Sequence, residues 1–264
     1  MSHECEKKAP SAPAHQRDGK GYTLETFHDR LRDLCADNFS SHGRHRPCLT
    51  QDQAQQAVAL ARQAGLLREA SIGWAEFKAT NTDLHYGSEH VVESDEAGEQ
   101  MAKITIPPAF GLVPRVLEHP VIQLQGAKNL PLIRQAIEFV PATPLEYLER
   151  WLAANDVFED DVRLTSVVQW ADGHVSFGIS QPQYHGEPAP ARDIDRFFGA
   201  SGWTRISDPG DSGHVLYFNY AFEVLAIDAL PRNCYIQGDA LLPFDVILCR
   251  PDEKFERYLR LYPE

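Results

Sequence analysis

The feature that most constrains this chain is a single change of hydrophobic period near Ile72. Before it, apolar residues recur at helical spacing. Residues 23–36 put Leu24, Phe27, Leu31 and Leu34 on one face, and residues 50–67 put Ala54, Ala57, Val58, Ala61 and Leu66 on another. After it the period is two. Segments 74–77, 91–93 and 101–106 read as strands, with a turn at 95–98. Pro107 and Pro108 stop the third strand, and a long irregular connection is expected from there to Pro141. One helix interrupts the strands with an unmistakable start. Thr143-Pro144-Leu145-Glu146 combines an N-cap Thr, a Pro in the first turn and a Glu three residues after the cap, a capping box. Leu145, Leu148 and Leu152 then form its expected buried stripe. Strands at 162–170 and 174–180 follow as a hairpin turning at 171–173, then a helix over 190–202. Strands are expected again at 215–218, 224–227, 234–236 and 241–246, and a short helix at 252–261. Strands grouped around one prominent helix predict an α+β fold.

Composition enters where partners are concerned. With 38 acidic against 25 basic residues the net charge is −13, which argues against sequence-independent binding to DNA or RNA. A nucleotide is still within reach, since one Lys, backbone amides and a metal can hold it. No run approaches the roughly 18 apolar residues that a membrane helix needs. Residues 1–21 are polar with no apolar core of a secretory signal, and read as a disordered tail. Five scattered cysteines fit a reducing cytoplasm rather than a disulfide scaffold.

The chemistry concentrates between 226 and 245. Asp228 leaves a strand, Asn233 follows five positions later, and a hairpin turning at Gly238-Asp239 brings Asp245 back toward Asn233. Three oxygen-bearing side chains converging at a cleft edge suit Mg²⁺, which shares such ligands with substrate phosphates. Asp228 and Asn233 are also ordinary turn formers, the plainer reading. Upstream, Gly87 and Ser88 lie where a phosphate-covering loop would sit. Lys103 points opposite to its strand neighbours Ala102 and Ile104, a costly placement without a partner. A phosphate and a helix Glu would supply one. Glu149 flanks the helix stripe, while Glu146 serves its cap. The alternative for Lys103 is an edge-strand Lys that guards against aggregation.

Lys103 on a third strand, a capped helix, a hairpin, Asp228-x4-Asn233 and a last Asp245 together resemble the protein-kinase-like superfamily. More narrowly, Gly87-Ser-Glu-His90, the run 142–150, Asp160-Asp-Val-Arg-Leu164, Gln181-Pro182 with His185-Gly186, and Asp228-Ala-x-Pro-x-Asn233 are similar to the serine/threonine/tyrosine kinase-like domains of bacterial and phage polyvalent proteins. The resemblance spans 73–251. It implies a bilobal domain over 72–264, with an N-lobe at 72–180, a hinge at 181–187 and a shortened C-lobe at 188–264. A helical extension over 22–71 packs on it. It implies ATP and Mg²⁺ as cofactors, with Gly87, Ser88 and Lys103 at the phosphates and Glu146 or Glu149 paired with Lys103. Backbone groups of the hinge segment containing Gln181, Gln183 and Tyr184 would meet adenine. Asp228 would act as catalytic base or orient the acceptor hydroxyl, and Asn233 and Asp245 would hold the metal. The implied activity is phosphoryl transfer to a hydroxyl, with protein Ser, Thr or Tyr as candidate acceptors.

The chain departs from the family in four places. Ile227 replaces an Arg before Asp228, Val-Ile follows Asp245, the phosphate loop has one Gly, and nineteen residues (264 − 245) follow Asp245. These imply an alternative, a nucleotide-binding domain with weak or absent transfer that serves as an interaction module.

Three lesser clusters are also present. Cys35, His42, His45 and Cys48 bracket a polar loop and offer a Cys₂His₂ donor set for zinc, with a spacing that matches no common zinc module. Glu159-Asp160-Asp161 reads as a solvated turn, and Asp211, Ser212 and His214 as a Gly/Pro-flanked turn. His185 reads as a surface residue.

Overall fold

The structure, a computed structural model, describes residues 22–38, 46–95, 98–125 and 128–262. The expected tail at 1–21 and two members of the Cys/His loop, His42 and His45, lie outside that range.

The fold is mixed α+β. Helices α1 (Leu24–Asn38) and α2 (Arg46–Ala64) lead into β1 (Leu67–Glu69), α3 (Trp74–Thr80), β2 (His85–Tyr86), β3 (His90–Ser94) and β4 (Gln100–Thr105). A long hairpin follows, β5 (Leu112–Gln125) and β6 (Lys128–Pro141), then α4 (Pro144–Phe158), β7 (Arg163–Gln169) and β8 (Val175–Pro182). The remainder comprises β9 (Glu187–Pro188), α5 (Ala191–Ala200), β10 (Thr204–Ile206), β11 (Leu216–Asn219), β12 (Val224–Ile227) and a 3₁₀ turn at Pro231–Asn233. After it come β13 (Cys234–Gln237), β14 (Ala240–Pro243), β15 (Ile247–Cys249) and α6 (Glu253–Leu259). Six strands form one sheet in the order β1-β7-β8-β4-β3-β2, and β10-β11-β12-β15 form another. A third sheet is β14-β13-β9.

The capping box is present as expected, with Thr143 accepting from the Glu146 N–H and the Glu146 carboxylate accepting from the Thr143 N–H. Around it one buried cluster runs from Phe27 and Leu31 of α1 through Ala57 of α2, Leu148 and Trp151 of α4 and Phe177 of β8 to Leu248. The helical extension therefore shares the core of the six-stranded sheet. It also adds a strand the period did not show, since Leu67 of β1 pairs in parallel with Val167 of β7.

Three expectations fail. Residues 74–77 are helical: Trp74 and Phe77, three apart, stack at 5.7 Å and both meet Trp170, which a strand's alternation would not allow. Residues 112–125 and 128–141 form paired strands. All four prolines of this hairpin fall in the register pairs Leu112–Pro141, Pro114–Phe139, Pro120–Ile133 and Ile122–Pro131. They share one parity, in which the missing N–H groups face away from the partner strand, so the ladder survives and the outer edges are blunted. The stripe on α4 is also rotated. Tyr147, Leu148, Arg150 and Trp151 are buried, while Leu145 and Leu152 are half-buried.

Immediately before β9 the chain needs a glycine. Gly186 has φ +156°, and a Cβ there would lie 2.4 Å from the Ile236 carbonyl oxygen. Only glycine lets the next residue, Glu187, pair with Ile236 of β13.

Candidate functional site

Lys103 lies on β4, between β3 and β8, opposite Val92 and Ile179. That central place removes the edge-strand reading. The inward face of β4 carries Lys103 and Thr105, and Lys103 is only 7% exposed. Its ammonium lies 3.4 Å from Asp245 Oδ1 and 5.3 Å from the centre of the Trp151 ring, whose face favours a cation.

Asp245 leaves β14 just before β15 and keeps 43% of its side chain exposed on a cleft of about 320 Å³. Burial alone would raise its pKa. The Lys103 and Arg150 charges outweigh that and hold the carboxyl below its ordinary range. The same cleft is lined by Ser88, Glu89, Asp228, Arg232 and Asn233. Asp228 follows β12 in the left-handed region, φ +67°, which Asp tolerates better than most residues. Its Oδ2 accepts from Arg232 at 2.5 Å and from the Asn233 amide at 3.1 Å, and the same amide donates to the Asp228 carbonyl at 2.8 Å. The β13–β14 hairpin that separates Asn233 from Asp245 turns at Gly238 as expected, with Gln237 opposite Ala240.

The structure thus gathers Lys103, Ser88, Asp228, Asn233 and Asp245, and it leaves other expected residues apart. Neither Glu146 nor Glu149 meets Lys103. Glu146 binds the guanidinium groups of Arg46 and Arg115 as well as the Thr143 N–H. Burial would raise its pKa, but those contacts lower it. Glu149 lies 3.6 Å from His28 on α1. The reason is helical phase: at about 100° per residue, positions 147, 150 and 151 face the sheet, and positions 146 and 149 face elsewhere. Gly87 closes the β2–β3 turn by donating to the His90 carbonyl at 2.8 Å. In the expected hinge, the Gln181 amide approaches the Phe244 carbonyl at 3.5 Å. The Gln183 N–H is already paired with the Glu99 carbonyl at 2.9 Å, and the Tyr184 hydroxyl donates to Asp160.

Asp160 corrects the solvated-turn reading, being 2% exposed. Burial pushes its carboxyl up to about 7, against the Tyr184 hydrogen bond and the Lys103 charge, which pull it down. A carboxyl raised in the folded state binds protons that the unfolded chain releases above about 4. Stability from this group is therefore full below that pH and lost as pH rises toward 7. Melting temperatures of wild type and Asp160→Asn between pH 4 and 8 should diverge accordingly, the wild type falling relative to the variant. Parallel curves would refute a proton on Asp160.

Sequence reasoning missed the residues that join α4 to the cleft. Arg150 is 3% exposed, donates from Nη1 to Glu89 Oε2 at 2.7 Å, and has Nη2 3.5 Å from Asp245 Oδ1. Glu89 also accepts from the Leu112 N–H at 2.8 Å. Buried His90 lies with Nε2 3.0 Å from the Tyr147 hydroxyl; burial, with the nearby Lys103 and Arg150, holds its pKa well below the usual value and leaves it neutral. A signal existed for Arg150, an Arg three residues after Tyr147 and beside Trp151 in a helix whose stripe was drawn through leucines. His214, read as part of a turn, lines the cleft with its ring 5.1 Å from Phe139.

Among the described residues no three His, Cys, Asp or Glu side chains gather as a metal cage, and no helix is long and apolar enough to cross a membrane. No family model, no curated protein and no solved structure matches the chain.

Proposed function

We propose that this protein is an ATP- and Mg²⁺-dependent phosphotransferase with a protein-kinase-like bilobal fold, acting on a hydroxyl acceptor such as a protein side chain. One observation carries the reading: a strand-borne, buried ammonium at 3.4 Å from Asp245, whose carboxylate shares a cleft with Asp228 and Asn233. The order along the chain supports it as well, with Lys103 on the third strand after Ile72, then α4, the β7–β8 hairpin, Asp228, Asn233 and Asp245.

The donor set fits a metal shared with phosphates better than one caged by protein. Mg²⁺ commonly takes one or two carboxylates and leaves its other positions to water and phosphate oxygens. An ionised Asp245 beside Asn233 meets that need, and a metal there would supply charge neutralisation at the phosphates. Lys103 holds phosphate oxygens as a point charge. Asp228 orients the acceptor hydroxyl and takes its proton, with the carboxylate aimed by Arg232 and Asn233. Phosphoryl transfer needs little more than such positioning and charge.

A second reading, a nucleotide-binding interaction domain with little transfer, draws on two observations. Lys103 lacks a helix Glu, and Asp228 Oδ2 is already engaged by two donors.

Both readings require nucleotide binding, which a ligand-induced rise in melting temperature measures. Saturation at a hundredfold over Kd adds about 2.7 kcal/mol to stability. Wild type is expected to show a rise of several degrees with Mg-ATP, and Lys103→Ala little or none. No rise in wild type at millimolar Mg-ATP would rule out both.

A further inference from the structure

Lys103 and Arg150 address the same oxygen, Asp245 Oδ1, at 3.4 and 3.5 Å. They differ in how firmly they are held. Arg150 is anchored by Glu89 at 2.7 Å, its guanidinium lies 4.9 Å from the centre of the Trp151 ring, and Glu89 is itself fixed by the Leu112 N–H. Lys103 is a compact charge on a flexible stem whose ion pair is Asp245. Arg150 Nε and Nη2 have no hydrogen-bond partner among the described residues, and Nη2, 3.5 Å from Asp245 Oδ1, retains donor capacity toward that carboxylate.

We propose that Arg150 is a positioning residue that holds Asp245 in place when Lys103 transfers to a bound phosphate, so that metal-dependent and metal-free nucleotide binding depend on it unequally. The inference rests on the nucleotide reading above. One carboxylate is shared by two cations. A triphosphate draws the ammonium away, and without Arg150 the carboxylate would lose its second partner and its orientation at the moment the metal needs it. Arg150 thus takes over, with opposite charge, the helix position from which a Glu was expected to steady Lys103, and Glu89 supplies the matching anion from the cleft lip.

The test is titration with ATP, once with excess MgCl₂ and once with EDTA. The double variant Arg150→Met with Glu89→Gln removes the guanidinium without stranding Glu89, and Arg150→Lys keeps a cation too short to reach both carboxylates. Losing one charge-assisted contact predicts that the double variant binds Mg-ATP roughly ten- to a hundredfold more weakly. Its metal-free ATP affinity should change by less than about threefold, since Lys103 remains. Arg150→Lys should lie between wild type and the double variant. Equal losses with and without Mg²⁺, or no loss in either, overturn the proposal, because a merely structural role moves both together. Absence of ATP binding in wild type would instead remove the nucleotide reading on which it rests.

Discussion

Asp228→Asn is expected to lower phosphoryl transfer by about 10²- to 10⁴-fold, the usual contribution of a positioned acid or base, with Mg-ATP affinity nearly unchanged. Asparagine is the sharper substitution because it tolerates the left-handed φ of +67° at this position, whereas Asp228→Ala adds backbone strain to the loss of the carboxylate. The readout is label transferred from γ-³²P-ATP to a hydroxyl acceptor, beside a binding isotherm on the same preparations. Wild-type rates retained in Asp228→Asn would remove the catalytic role. Binding without transfer in wild type would move the conclusion to the interaction-domain reading, and the Arg232 and Asn233 contacts on Asp228 would then be structural.

Arg150→Met should destabilise the protein by about 3–5 kcal/mol, because it removes a buried cation and leaves its carboxylate partner unpaired. At roughly 2–4 °C per kcal/mol for a chain of this size, the melting temperature drops by about 6–20 °C. Most of the loss falls on Glu89, whose side chain is only 11% accessible and loses its charged partner. Adding Glu89→Gln to the variant should recover part of the loss, because a neutral amide costs less to leave buried than a carboxylate. Asp245, with 43% of its side chain open to solvent and Lys103 still beside it, should suffer less. A loss below about 1 kcal/mol in denaturant unfolding would show that water already screens this pair, as it does for surface bridges.

The residues of the cleft were more legible than their partners. Lys103 stood out because an ammonium on the inward face of an apolar strand demands compensation, and it does lie next to Asp245. Its expected partners failed because a stripe drawn through Leu145, Leu148 and Leu152 turns α4 by part of a revolution from its observed phase, which runs through Tyr147, Arg150 and Trp151. The β5–β6 hairpin was hidden by its own prolines, which read as breakers one at a time and as edge protection only once the register is known. Asp160 was hidden by its acidic neighbours. Asp161 pairs outward with Arg163, while Asp160 turns inward beneath Tyr184.

What the amino-acid sequence determined by itself is local. It set the start of α4, through the reciprocal bonds of Thr143 and Glu146, the N-cap of α6 at Asp252, and the turns at Gly173 and Gly238. Each of these rests on groups within four residues of one another, so short-range sterics and hydrogen bonding are enough. Tertiary structure decided which charge answers which. Lys103 found Asp245 142 positions away, Arg150 found Glu89, and Asp160 lost its water. Ion pairing and burial depend on which distant surfaces arrive within a few ångströms and on the dielectric between them, and hydrophobic periodicity carries neither.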